Sequence, residues 1–168
     1  MNRGIARAIE LRIMKIQQAR TEPEFRAVRD LFREYEAFLD VDLCFQGFEE
    51  ELAGLPGRYA RPDGDLLIAL ADDTPVGCVA ARRLEEGICE MKRLYVRPDA
   101  RGTGLGRRLA EEIIVIAREL GYSTMRLDTL DQLAEAMRLY QSLGFRTIDP
   151  YYDNPLAGVV YWELDLRE

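Results

Sequence analysis

The 168-residue sequence predicts a mixed α/β fold, a mostly antiparallel central sheet flanked by helices. Three observations predict it. Short β-prone runs at 66–71, 76–82 and 90–96 succeed one another with only turn residues between them, the pattern of an antiparallel meander. Beyond them strand-like and helix-like segments alternate, and the helices that connect them must lie on the sheet. No run approaches the roughly eighteen apolar residues of a membrane span, so the 48% hydrophobic content serves a core in water.

The elements follow in order. Residues 9–18 have the branched apolar content of a first strand, after a short extension over 1–8, so a single domain is expected over 9–168. Thr21-Glu22-Pro23-Glu24 is a capping box with proline in the first turn. After it, Phe25, Val28, Leu31, Phe32, Tyr35, Phe38 and Leu39 fall on one helical face, until residues 40–42 interrupt it. A shorter helix is expected over 45–55, ended by Pro56-Gly57. Asp72-Asp73-Thr74-Pro75 and Glu85-Glu86-Gly87 supply the turns of the meander. From Leu105, a stripe of Leu109, Ile113, Ile116, Ala117 and Leu120 marks a helix capped by Gly121. Residues 124–130 read as a strand. Leu133, Ala136, Met137, Tyr140 and Leu143 mark a last helix capped by Gly144. Residues 145–148 and 159–166 are closing strands around a loop at 150–158.

Composition excludes several functions. A net charge of −7 argues against a nucleic-acid partner, which needs clustered positive charge. Yet Lys92, Arg93, Arg97, Arg101, Arg107 and Arg108 crowd into seventeen residues. That crowding fits a small anionic ligand or a solvated charged face. The absence of histidine removes Ser-His-Asp and Cys-His catalysis and the HExxH metal motif, and no metal is expected. Cys44, Cys78 and Cys89 show no CxxC spacing and read as reduced thiols. The first twelve residues have scattered charges and no continuous apolar stretch, unlike a signal peptide, so a cytoplasmic protein with no membrane partner is expected.

The most informative stretch is 90–109, which reads as a strand, a proline-marked turn, and a Gly-rich loop running into a helix. Such a loop turns backbone N–H groups toward a phosphate. The dinucleotide pattern GxGxxG fails, because Gly102, Gly104 and Gly106 are spaced GxGxG. The Walker pattern fails as well, since no Gly-Lys-Ser/Thr follows.

Arg101, Gly104 and Gly106 match Arg/Gln-x-x-Gly-x-Gly/Ala, the signature of the GCN5-related N-acetyltransferase (GNAT) superfamily, which the chain resembles. A second motif agrees: Tyr140 on a helix, followed by Gly144-Phe145, with Ala136 four residues ahead. One departure is Leu133, where many members carry an asparagine near the pantetheine.

The resemblance implies the GNAT, acyl-CoA N-acyltransferase-like fold and acetyl-CoA as the donor. Its pyrophosphate would lie on the N–H groups of Gly102, Thr103, Gly104, Leu105, Gly106 and Arg107, with Arg101, Arg107 and Arg108 adding charge. The pantetheine would pair with the strand edge at Leu94, Tyr95 and Val96. The Leu94 N–H would then meet the acetyl oxygen. Tyr140 matches the tyrosine that returns a proton to the CoA thiolate; the alternative is a core aromatic. Glu90, eleven residues before Arg101, matches the glutamate of the histone-acetylating branch. With a pKa raised by burial it would serve as base, directly or through water; otherwise it is a substrate contact or a structural carboxylate.

The acceptor site would be built from the first two helices, the middle strands and the 150–158 loop. Glu34, Tyr35, Tyr151 and Tyr152 are the candidates, with Arg33, Asp40, Asp42 and Asn154 near them in the chain. An acidic pocket would suit a cationic amine; solvated carboxylates are the alternative. The tyrosine-rich loop would line a pocket or a homodimer interface. The expected reaction is acetylation of a primary amine of a small molecule. Acetylation of a protein or peptide, and a non-catalytic acyl-CoA sensor, are the alternatives.

Overall fold

In the computed structural model, which describes residues 13–168, a seven-stranded sheet runs in the order β1-β2-β3-β4-β5-β7-β6. Its strands are β1 (Met14–Gln18), β2 (Asp65–Ala71), β3 (Thr74–Glu85), β4 (Ile88–Val96), β5 (Thr124–Leu130), β6 (Arg146–Ile148) and β7 (Val159–Asp165). The helices are α1 (Glu22–Leu39), α2 (Phe48–Ala53), α3 (Leu105–Glu119) and α4 (Ala134–Ser142). Every pairing is antiparallel except β4 with β5. The expected 1–8 extension and the 9–12 part of the first strand lie outside the described residues.

The capping box expected at the start of α1 is formed. Thr21 Oγ1 accepts from the Glu24 N–H at 3.4 Å, and a Glu24 carboxylate oxygen accepts from the Thr21 N–H at 2.9 Å. Burial of Val28, Leu31 and Phe32 on one face of α1 contributes roughly 1.5–3 kcal/mol for each such side chain. The second helix departs from expectation. Gly47 adopts φ +69°, which splits the segment into a short 3-10 turn, Cys44–Gln46, and α2 of six residues. A left-handed residue cannot continue a right-handed helix, and glycine adopts it without strain.

Two cores sandwich the sheet. Leu67, Val79, Met91, Met125 and Trp162 pack with Leu109 and Ile113 of α3 on one side. Ile68, Cys78 and Leu130 pack with Phe32 of α1 and with Phe48 and Leu52 of α2 on the other. Cys78 and Cys89 are buried, Cys44 is exposed, and all three are free thiols. No helix among the described residues is long and apolar enough to cross a membrane.

Two irregularities in the sheet position the site. The β3–β4 register shifts between Cys78 and Ala80, which face Tyr95 and Lys92 respectively. One residue on β3 therefore opposes two on β4, a β-bulge. Arg93 in that bulge has φ +61°. The second irregularity is that β4 pairs with β5 only at Ile88, Cys89 and Glu90, opposite Thr124, Met125 and Arg126. β4 continues along β3 as far as Val96, and β5 along β7 as far as Leu130, so the facing edges diverge.

Candidate active site

The divergence of β4 from β5 opens a cleft of about 510 Å³. Leu94, Tyr95 and Val96 form one wall; Thr129 and the start of α4, from Gln132 to Ala136, form the other. The Arg97 N–H donates to the Val76 carbonyl on β3 at 2.8 Å. Amides alternate along an extended strand, so the Val96 and Leu94 N–H groups point the other way, into the cleft. They offer an unfilled ladder position to an extended ligand.

The floor of the cleft is the Gly-rich loop. Gly102 and Gly104 have φ +76° and +81°, values that side-chain-bearing residues rarely adopt. The first backbone bond into α3 runs from the Arg108 N–H to the Gly104 carbonyl, 3.1 Å. The N–H groups of Leu105, Gly106 and Arg107 thus precede the helical ladder, at its positive end. A Cβ on Gly106 would meet only Val96 Cγ2, at 3.8 Å, so the space above it is free for a ligand.

Eight of the ten sequence-predicted cofactor residues line this cleft: Leu94, Tyr95, Val96, Arg101, Gly102, Gly104, Leu105 and Gly106. Arg101 donates from Nε to the Val96 carbonyl at 2.9 Å and lies over the Phe38 ring. Two side chains depart from expectation. Thr103 turns its hydroxyl back to the Ala100 carbonyl at 2.7 Å, and Arg107 reaches Ser142 and Glu111 instead of the cleft. The basic crowding is not a single patch either. Arg93 is buried over the Phe48 ring in an ion pair with Glu51 at 3.0 Å, and Arg97 is forked on Glu34.

Beneath the cleft lies an inner cavity of about 40 Å³ between β4, β5 and α1. Tyr35, Leu94, Thr129, Leu133 and Tyr140 border both spaces. The Tyr140 ring packs edge-on against Phe145, centroids 5.7 Å apart, and against Trp162 at 6.4 Å. Burial pushes its phenol pKa up, and nearby Tyr35 and Asp128 add to the rise. Burial likewise pushes Tyr35 up, to about 12. Leu133 puts an apolar surface where the resemblance has an asparagine, leaving Thr129 and Gln132 as the neutral polar side chains of that wall.

A third space, an outer cleft of about 390 Å³, opens on the far side of the inner cavity. Gln46 and Lys92 border both. Tyr151 and Tyr152 line it, as the sequence suggested, and both are anchored. Tyr151 donates to Glu90 at 2.6 Å and Tyr152 to Asp128 at 2.7 Å. Asn154 donates to the Tyr152 hydroxyl at 2.8 Å. The 150–158 loop thus folds over the sheet and makes a pocket wall within the chain.

Two acceptor-side expectations are corrected. Glu34 does not face the pocket, because its carboxylate is held by Arg97 at 2.7 Å. Glu90 is buried as foreseen, but its pKa shifts down instead of up. Burial pushes it upward, and the positive charges of Lys92 and Arg82 with the Tyr151 hydrogen bond outweigh that. Arg82 pairs with it at 2.9 Å. Sequence reasoning missed Arg82, Arg126 and Asp128, and it placed Lys92 only in the basic crowding; all four wall the outer cleft or inner cavity. A signal was present: Glu90/Lys92 and Arg126/Asp128 are in-phase polar pairs inside otherwise apolar central strands.

Comparison with known proteins agrees with this geometry. Residues 25–145 match the model of a family described as the acetyltransferase (GNAT) family. An uncharacterised N-acetyltransferase of Schizosaccharomyces pombe is 49% identical over 140 residues, covering 82% of this chain and 86% of that protein. A protein named IAA acetyltransferase, of Azospirillum brasilense, is 38% identical over 143 residues, covering 83% of this chain and 92% of its own. The fold is similar to that of an N-acetyltransferase of Thermoplasma acidophilum solved with coenzyme A. There the TM-score is 0.71 at 19% identity, over 91% of this chain and 99% of the other.

Proposed function

The chain belongs to the GNAT family of acetyltransferases, and from that premise we propose that it transfers an acetyl group from acetyl-CoA to the primary amine of a small molecule. The observation that carries the reading is the open β4 edge beside the Gly-rich loop, with Tyr140 bordering both cleft and inner cavity. The pantetheine adds to β4 as an extra strand, using the Leu94 and Val96 N–H groups. Its pyrophosphate sits against the N–H groups from Gly102 to Arg107, where the helix dipole adds about 0.3–1 kcal/mol for an exposed anion.

The acceptor approaches from the outer cleft, opposite the donor. Its neutral nitrogen attacks the thioester carbon, and the Leu94 N–H steadies the oxyanion as the C–N bond forms. The C–S bond then breaks. The nitrogen loses one proton to solvent or a carboxylate, the departing thiolate takes one from Tyr140, and the Tyr140 phenolate regains one from solvent as CoA leaves. A Tyr140 pKa raised by burial keeps that proton in place until a desolvated thiolate forms beside it. The presence of both Tyr140 and a carboxylate-bearing acceptor side favours an enzyme over an acyl-CoA sensor.

The test is free-thiol release from acetyl-CoA across a panel of small amines and peptides. Acceleration by small amines is the expected result. Response to peptides alone would remove the small-molecule assignment. Tight CoA binding with no response to any amine would remove the enzyme reading.

A further inference from the structure

We propose that the acceptor amine also carries a carboxylate, which pairs with Lys92 at the junction of outer cleft and inner cavity while its ammonium meets Asp128. The inference rests on the acetyltransferase reading for the fate of the amine, but not for the binding of the acid.

Lys92 carries the argument. It is only 6% exposed, yet it has no carboxylate within ion-pair distance among the described residues. Its ammonium donates to one neutral oxygen, Gln46 Oε1, at 3.1 Å. A buried ammonium with a single neutral partner is disfavoured, and Glu90 and Asp128, which act on it from beyond ion-pair distance, offset that only in part. Its cationic neighbours are otherwise engaged: Arg82 by Glu90, Arg93 by Glu51, and Arg126 by Glu163 at 2.9 Å. Arg58, exposed at the cleft rim, donates to the Arg83 carbonyl and is the other cation of the cleft without a carboxylate partner among the described residues; Lys92 is the buried one that retains capacity for an anion.

Its position indicates which anion. Lys92 borders both the outer cleft and the inner cavity, so an acid bound there has its other end in the inner cavity. Arg58, Arg82 and Arg126 line the outer cleft and add positive charge. Of its three carboxylates, Glu90 and Glu85 are occupied by Arg82 and Arg126, and Asp153 is the third, so cations outnumber carboxylates by four to three with Lys92 counted. The inner cavity holds the opposite charge, Asp128, with Tyr152 donating to it. A carboxylate at Lys92 and an ammonium at Asp128 satisfy both, and they aim the nitrogen toward Leu94 and Tyr140, which border the donor cleft. A cavity of about 40 Å³ admits only the slender end of such a molecule. Glu34, the acidic candidate on the first helix, is held by Arg97 and adds no charge to this pocket.

The test uses the intact protein and matched pairs: glycine, β-alanine, 4-aminobutyrate, aspartate and glutamate, each against its methyl ester. In thiol release, the best acid should exceed its ester at least about tenfold in kcat/KM, as loss of a charge-assisted contact implies. Lys92→Met, similar in length, should collapse that preference to within about threefold. Lys92→Arg keeps the charge and should retain part of it. In parallel, calorimetry measures binding of the N-acetyl derivatives of the same acids, and of their esters, to the CoA complex. Wild type should bind the acid forms, Lys92→Met should not, and unchanged CoA affinity shows that the variant is folded. Esters preferred over acids, or acids bound equally by Lys92→Met, would overturn the inference. A uniform fall in turnover for acids and esters alike in that variant would overturn it too. Lys92-dependent binding of acids without thiol release from any amine would support the inference and defeat the transferase reading.

Discussion

Replacing Tyr140 with phenylalanine separates catalysis from folding more sharply than any other single change. The Tyr140 phenol makes no hydrogen bond to the described residues, and the side chain borders both the cleft and the inner cavity. Removing the hydroxyl therefore forfeits less than the ~1 kcal/mol of an ordinary internal hydrogen bond. The ring contacts with Phe145 and Trp162 are kept. Stability should change by under about 0.5 kcal/mol, within the usual range for a substitution that disturbs no packing. Turnover should fall by about 10²–10⁴, the usual share of a positioned general acid, or roughly 3–5 kcal/mol in the barrier. Steady-state thiol release gives kcat, calorimetry gives acetyl-CoA affinity, and urea unfolding gives stability. Because burial raises the phenol pKa, Tyr140 stays protonated across the neutral and mildly alkaline range and adds no alkaline limb to the wild-type profile there. A kcat within about threefold of wild type would refute the acid role. A fall in kcat matched by a large loss of stability would refute the separation.

Three further outcomes follow from the geometry. Gly104→Glu places a side chain at φ +81°, with strain of roughly 1–2 kcal/mol, and a like charge at the pyrophosphate site; acetyl-CoA affinity should fall well beyond that of Gly104→Ala, and equal affinities would move the phosphate site elsewhere. Glu51→Ala leaves Arg93 charged and unpaired at 5% exposure, so urea unfolding should show a loss of about 3–5 kcal/mol; a loss under about 1 kcal/mol would mean that Arg93 finds water. Burial, then the Arg93 charge, lowers the Lys92 pKa from 10.5 to about 8, against Glu90 and Asp128, which raise it. Between those values the unfolded chain alone holds the proton. Lys92 should therefore contribute a rise in stability from about pH 8 to 10, on the order of 2 kcal/mol, set against the fall above pH 9 that burial of the Cys78 and Cys89 thiols imposes; the difference between wild type and Lys92→Met isolates it, and identical slopes would place the titration elsewhere.

What the sequence disclosed and what it withheld divide along the range of the interactions involved. The Thr21–Glu24 cap, the 124–130 strand, the α3 stripe and the left-handed Gly121 and Gly144 all follow from local chemistry, and all are present. The second helix is shorter than the 45–55 expected, because Gly47 is a left-handed break that apolar spacing alone does not reveal. The cofactor side was legible because one short segment supplies both β4 edge and Gly-rich loop. The acceptor side joins residues distant in the chain: Gln46 to Lys92, Glu51 to Arg93, Glu90 to Tyr151, Asp128 to Tyr152. Such partners have no fixed spacing, so Glu34 and Glu90 looked available when Arg97 and Arg82 already held them.

Those pairings bear on how the amine is deprotonated. A carboxylate acts as a strong general base only when its pKa approaches that of the group it deprotonates. Burial alone would have moved Glu90 in that direction, but Lys92, Arg82 and Tyr151 move it the other way. An aliphatic ammonium has a pKa near that of lysine, about 10.4, and Glu90 is held below the ordinary carboxylate range, so a direct proton transfer to it would run uphill. Glu90 instead works as a fixed negative charge that locks Arg82 and Tyr151 into the outer cleft wall. The neutral fraction of the amine is then set by its meeting with Lys92 and Asp128 in the inner cavity, where a nearby cation favours loss of the ammonium proton and a nearby carboxylate favours its retention. An acceptor whose own carboxylate neutralises Lys92 shifts that balance toward the ammonium. In the proposed reaction, turnover with such an acceptor therefore depends on water taking that proton, and the outer cleft, which meets the inner cavity at Gln46 and Lys92, is the route on the side away from the donor.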